Sequence, residues 1–190
     1  RETFQNPEKL PIEREKTERE TQIIQDILVK LQEFLREYGI ESLNLTLDHI
    51  HVVDEASLSI EQKEAFGIPE ESGGFYMEVK QGIVVFSSDD SLLFAERVAH
   101  ECVHANSFVS FTAQDDKIAL RRVGLTVLDE KWKRYFHNLN EGLTEELTKR
   151  FDRKYFDKMP SLSDAVKERE KFIAPKRSKN PSSNTDEIQS

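Results

Sequence analysis

The sequence predicts an α+β fold: a small sheet packed on an N-terminal helix, a helix near the middle of the chain and a further helix beyond it. Three observations carry this. Apolar residues recur at helical spacing over 23–35, follow the patterning of strands over 43–54 and 74–87, and return to helical spacing over 91–108 and 140–156. The chain has 190 residues, enough for one domain with a core and few for two. No internal repeat interrupts the pattern.

Each element has a local cause. Ile23, Ile24, Ile27, Leu31, Phe34 and Leu35 form one face of the first helix, and Gly39 stands where a C-terminal cap belongs. "LNLTLDHIHVVD" alternates as a strand, and "GGFYMEVKQGIVVFSSDD" reads as two strands joined near Lys80, Gln81 and Gly82. The "SSDD" run suits a helix N-terminus, so a helix is predicted from about Ser91 to Phe108. A polar loop near "TAQDD" precedes a second pair of extended segments, "KIALRRVGLTVLD" and "KWKRYFHN". Leu143, Leu147 and Phe151 resume helical spacing, and a short last helix is predicted from about Ser161 to Phe172. The organisation is then a charged N-terminal segment at 1–22, whose run at 13–20 reads as a solvated helix face, a domain over 23–172, and a disordered polar tail at 173–190.

Charge limits the partners. With 27 basic and 36 acidic side chains the formal charge is −9, which repels phosphate backbones and anionic lipid, so neither nucleic acid nor a membrane is an expected partner. No apolar run approaches the roughly 18 residues of a membrane span, and the opening "RETFQNPEKLPIEREK" does not read as a signal peptide. Residue 1 is Arg, the mark of a processed or truncated chain, so a removed leader stays open. Cys102, the single cysteine, fits a reducing compartment such as the cytoplasm.

The chemistry concentrates in "RVAHECVHANSF". Side chains four apart on a helix lie one turn apart on the same face, so His100 and His104 can present imidazole nitrogens to one metal ion. Glu101 is turned about 100° from His100, which sets its carboxylate beside such an ion, where it can act as general base toward a bound water. An open catalytic zinc needs a third protein ligand. In "HNLNEGLTEELTKRF" Glu141 and Glu145 lie four apart, so one can bind metal while the other hydrogen-bonds a ligand histidine. A second reading of Glu141 is a capping box with Asn138, three residues ahead, in which the carboxylate simply closes the helix start.

"HECVH" followed by "NEGLTEEL" resembles the gluzincin clan of zinc metallopeptidases, in which the glutamate of a downstream N-E-x-x-(S/T)-(D/E) helix is the third zinc ligand. The small size resembles the compact minigluzincins, a zincin-like fold with a small sheet, an active-site helix and a glutamate helix. The specific motifs occupy two short stretches, and the segment linking them is longer than the shortest spacing of the clan. The resemblance implies His100, His104 and Glu141 as ligands of Zn2+, Glu101 as general base, and Glu145 as the acidic residue that orients a ligand histidine. It implies a peptide or protein substrate held along an edge strand, for which "IVVFS" at 83–87 and the neighbouring "FYMEV" are the candidates. Tyr135 and His137 are candidate donors to the oxyanion. The competing expectation is a zincin-fold binding or regulatory module that keeps metal with little or no turnover; a third is a latent enzyme blocked by one of its ends.

Other signals read as structure. His49 and His51 stand two apart and are expected on a solvated strand face, Cys102 as a small buried hydrophobe, and the "NLT" at Asn44 as a coincidental match to a glycosylation acceptor.

Overall fold

The computed structural model describes residues 9–66, 68, 72–77, 82–107, 109–114, 117–129, 131 and 133–177. In chain order these form α1 (Glu18–Glu37), β1 (Ile50–Val53), α2 (Ile60–Phe66), β2 (Gly74–Met77), β3 (Gly82–Phe86), α3 (Ser91–Ala105), β4 (Val109–Gln114), β5 (Lys117–Val123), β6 (Thr126–Leu128), β7 (Arg134–Tyr135), α4 (His137–Tyr155) and α5 (Ser163–Arg177). The α+β class is as predicted. There are two sheets: a mixed one in the order β1-β3-β2, and an antiparallel meander β4-β5-β6-β7. The stretch expected as a polar loop contributes β4, because its backbone pairs from Val109 to Gln114 along β5.

Helix α1 begins with a capping box. Thr17 accepts the Glu20 amide, and the Glu20 carboxylate accepts the Thr17 amide in return. Its apolar face is fully buried, and Phe34 meets Phe151 of α4 edge-on at a centroid distance of 5.5 Å. This core also takes Val98, Ala99 and Cys102 from α3.

Strand β3 runs down the middle of the first sheet, parallel to β1 and antiparallel to β2. Its 82–86 backbone is therefore paired on both sides, which removes 83–87 as an edge for substrate; of the two candidates only β2 is an outer strand. Both faces of this sheet are covered. Ile50, Val52, Ile83 and Val85 point into the helical core, while Val53, Val84 and Phe86 form a second cluster with Leu10. Two-sided burial abolishes the polar alternation expected over 43–54, and the strand is confined to 50–53.

The cover on the second face is the charged N-terminal segment itself. The Arg14 amide donates to the Val52 carbonyl at 3.0 Å, and the Arg14 guanidinium reaches the Glu20 carboxylate at 2.6 and 2.9 Å. Glu13 Oε2 lies 2.7 Å from Nδ1 of His51, and Lys16 stands 3.3 Å from the other oxygen. Within the run 13–20, Glu13, Arg14, Lys16 and Glu20 thus form a paired strap, while Glu15, Thr17, Glu18 and Arg19 are exposed as expected of a solvated face. His51 is buried beneath it, and His49, in a short 3-10 turn, accepts the Thr46 amide, so the solvated placement expected for both is corrected. At the other end α5 continues to Arg177, so 173–177 are helical where a disordered tail was expected; residues 1–8 and 178–190 lie outside the described residues. No helix among the described residues is long and apolar enough to cross a membrane.

The strap links stability to pH. Burial alone would raise the pKa values of Glu13 and Glu20, but His51 and Lys16 around the first, and Arg14 and Thr17 around the second, hold both below the usual carboxylate range. The folded chain therefore binds fewer protons than the unfolded one, and this stabilisation is present above the unfolded pKa and lost as pH falls through the folded one. Glu20→Gln is expected to cost about 1–3 kcal/mol at neutral pH. Its thermal midpoint should then fall less steeply than the parent's between about pH 6 and pH 3. Equal slopes in a thermal melt series would show that this carboxylate does not carry the effect.

Candidate metal centre

Helix α3 is positioned at both ends by side-chain bonds. Asp90 caps it, accepting the Leu92 and Leu93 amides at 2.8 and 3.2 Å. Asn106 stops it three residues before the predicted Phe108 by donating to the Cys102 carbonyl at 2.8 Å and accepting the Leu43 amide at 2.7 Å. Val98, Ala99 and Cys102 face the core with no exposed surface, and burial pushes the Cys102 thiol far up, as befits a packing residue. The opposite side of the helix carries His100 and His104 toward α4.

Helix α4 begins at His137, three residues earlier than the spacing of its apolar residues indicates. The preceding residue, Phe136, takes the left-handed conformation at φ 59°, and no side chain caps the helix. Asn138 consequently lies inside the first turn, so Glu141 is not engaged in a capping box. Its carboxylate instead turns to the histidines of α3. Oε2 of Glu141 lies 3.2 Å from Nε2 of His104 and 3.6 Å from Nε2 of His100, and the two Nε2 atoms are 3.1 Å apart. Two ligands each 2.0–2.1 Å from one tetrahedral ion stand about 3.3 Å apart. The three separations bracket that value, so His100, His104 and Glu141 form a donor set with the size and chemistry to hold a metal ion.

The surroundings favour a cation. Burial works against the charged imidazole of His100, yet Glu141, Glu101 and Glu145 around it raise its pKa above the ordinary value. His100 and His104 hold the Glu141 carboxyl well below the usual range. Glu101 is almost wholly buried and not among the three donors, as its place one residue after His100 predicts. Burial pushes its pKa up to about 7, against the pull of His104 and His100. Glu145 stands with Oε2 3.6 Å from Nδ1 of His100, close to the orienting place implied for it, and also pairs with Lys149 at 3.0 Å.

Several contributors had no separate sequence signal. Thr144, buried one turn after Glu141, has its hydroxyl 3.5 Å from Nδ1 of His104. Asn140 accepts the Leu125 amide at 2.8 Å and so ties α4 to the β5–β6 turn, where a Cβ on Gly124 would fall 2.2 Å from the Asn140 oxygen. Gly74 lets β2 lie directly over α3, since a Cβ there would stand 2.4 Å from the Val84 carbonyl and 3.1 Å from the Glu101 side chain. A glycine pair before a strand is the signal that marks such an approach.

A cavity of about 690 Å³ opens beside the donor set, walled by Glu101, His104 and Glu141 on one side and by β2 and the second sheet on others. His137 reaches it; Tyr135 does not, and its hydroxyl donates to Asp129 at 3.1 Å. A second cavity of about 450 Å³ is lined by His100, Glu96 and Glu145, and Glu101 and Glu141 line both cavities. No protein-family model, curated protein or solved structure matches the chain at a significant level.

Metal titration tests the donor set. The chain is expected to bind one divalent ion, with affinity much reduced by His104→Ala or Glu141→Ala and reduced by about 10–100-fold or less by Glu145→Ala, an outer partner. Equal effects of Glu141→Ala and Glu145→Ala in elemental analysis or competition with a chelating dye would displace Glu141 from the ligand set.

Proposed function

We propose that the chain is a zinc-dependent metallopeptidase of the gluzincin type that hydrolyses peptide bonds in peptide or protein substrates. The observation that carries this is the convergence of His100, His104 and Glu141 at one point, with Glu101 buried beside them on the wall of an open cleft. Two imidazoles and one carboxylate match a catalytic zinc set that keeps a position open. His100, His104 and Glu141 would hold the zinc, which would supply Lewis acidity toward water and a carbonyl oxygen.

The remaining work falls to the chain's own residues. Glu101, buried beside the donors, would take a proton from the attacking water and pass it to the departing amine. Glu141 and Glu145 flank His100, and Thr144 backs His104, which limits the ring orientations open to the two histidines. His137 reaches the cavity from the first turn of α4 and is the candidate donor to the oxyanion. Strand β2, which ends the order of the first sheet among the described residues and lines the same cavity, is the candidate for strand addition by an extended peptide. The burial of Glu101 favours turnover over a binding module, because desolvating a carboxyl is costly and metal retention does not require it.

Glu101→Gln separates binding from chemistry. The variant is expected to keep its zinc and lose hydrolysis of a peptide library by about 10²–10⁴-fold. Undiminished cleavage by a variant with full zinc would remove Glu101 from the mechanism. No cleavage by the zinc-loaded parent would leave the binding module as the better reading.

A further inference from the structure

The wall of the main cavity opposite the metal donors is built by β5, β6 and β7. Cross-strand pairing sets Val123 opposite Thr126 and Leu128 opposite Arg134, and Thr126 and Leu128 are two apart on β6, so these four side chains share one face. All four line the cavity. Val123 and Leu128 supply an apolar floor, and two polar groups interrupt it.

Both of those groups want an acceptor. The Thr126 hydroxyl is buried, with the residue only 5% exposed, and it has no hydrogen-bond partner among the described residues. Natural interiors rarely leave such a group unmatched. Among the described residues Arg134 is the one side chain on the cavity wall with a permanent positive charge; it is exposed and has no ion pair or hydrogen bond to another described residue. A guanidinium presents a planar fork that fits a carboxylate with two parallel bonds, and a neighbouring hydroxyl can donate a third.

We propose that Arg134 and Thr126 form a carboxylate-binding subsite, so that the peptides taken by this cleft carry a negative group close to the bond at the metal donors. This rests on the peptidase reading for its substrate and adds a specificity that the donor set does not supply. The carboxylate is either the free C-terminus of the peptide or an acidic side chain. The floor of Val123 and Leu128 accepts the apolar part of the same residue.

The test uses three probes: N-acetyl-tetra-alanine with a free C-terminal carboxylate, its C-terminal amide, and the amide with glutamate in the last position. Cleavage is followed with the zinc-loaded full chain. Binding is followed in parallel by calorimetry on the Glu101→Gln chain, which needs no turnover. At least one carboxylate probe should exceed the neutral amide by about 10–100-fold, in KM for cleavage and in Kd for binding. Arg134→Gln should abolish that preference and leave the neutral amide unchanged, Arg134→Lys should restore part of it, and Thr126→Val should weaken it where Thr126→Ser does not. The free acid and the glutamate amide distinguish a C-terminal carboxylate from a side chain.

Cleavage or binding of all three probes alike, or a preference that survives Arg134→Gln, overturns the subsite and leaves the hydrolytic reading standing. A carboxylate preference in calorimetry that depends on Arg134, with no cleavage of any probe, overturns the hydrolytic reading and upholds the subsite.

Discussion

Helix α3 runs between α1, α4 and the first sheet and is buried along most of its length, yet it carries His100, Glu101 and His104. Ionisable groups inside a fold are costly unless other groups satisfy them, so the packing around this helix is divided. Toward α1 it is apolar, with Val98, Ala99 and Cys102 set into the core that Phe34 anchors. Toward α4 it is polar, and α4 answers with Glu141 together with the buried residues Asn140, Thr144 and Thr148. The apolar contacts of α3 lie at the first interface, and its ionisable groups at the second.

That division explains the second sheet. The donor groups of α3 and α4 stand within a few ångströms of one another, although His104 and Glu141 are 37 positions apart in the chain. The intervening chain leaves α3, folds back and forth as β4 to β7, and re-enters α4 through the left-handed turn at Phe136. Asn140 fastens the return by bonding Leu125, one residue before β6. The meander is more than a connection, because one of its faces becomes the wall of the cavity opposite the donors. The first sheet makes the other side by bringing β2 over Glu101, an approach that depends on Gly74 having no side chain.

The charged N-terminal strap works at a distance from this site. Its contribution is to close the back of the first sheet, where His51, Val53, Val84 and Phe86 would otherwise meet water. Charged side chains can cover an apolar face in this way because their stems pack while their heads pair with one another. Arg14 with Glu20, and Glu13 with Lys16 and His51, are such pairs.

Residue spacing made the local order legible. The spacing of Ile23 to Leu35 specified α1, the four-residue interval specified that His100 and His104 share a face, and one step of the helix specified that Glu101 stands aside from them. Glu141 was only half legible, since the same "NLNE" also spells a capping box, and the motif resemblance preferred the ligand role. Tertiary structure decided the rest, because periodicity records the face an element buries and not what covers the other one. Two-sided cover made β1 short and hid His49 and His51; pairing between strands put β4 where a polar loop was read. Only the docking of α4 on α3 turned Glu141 from a cap to a donor, and only the register of β6 against β7 brought Thr126 and Arg134 to one wall.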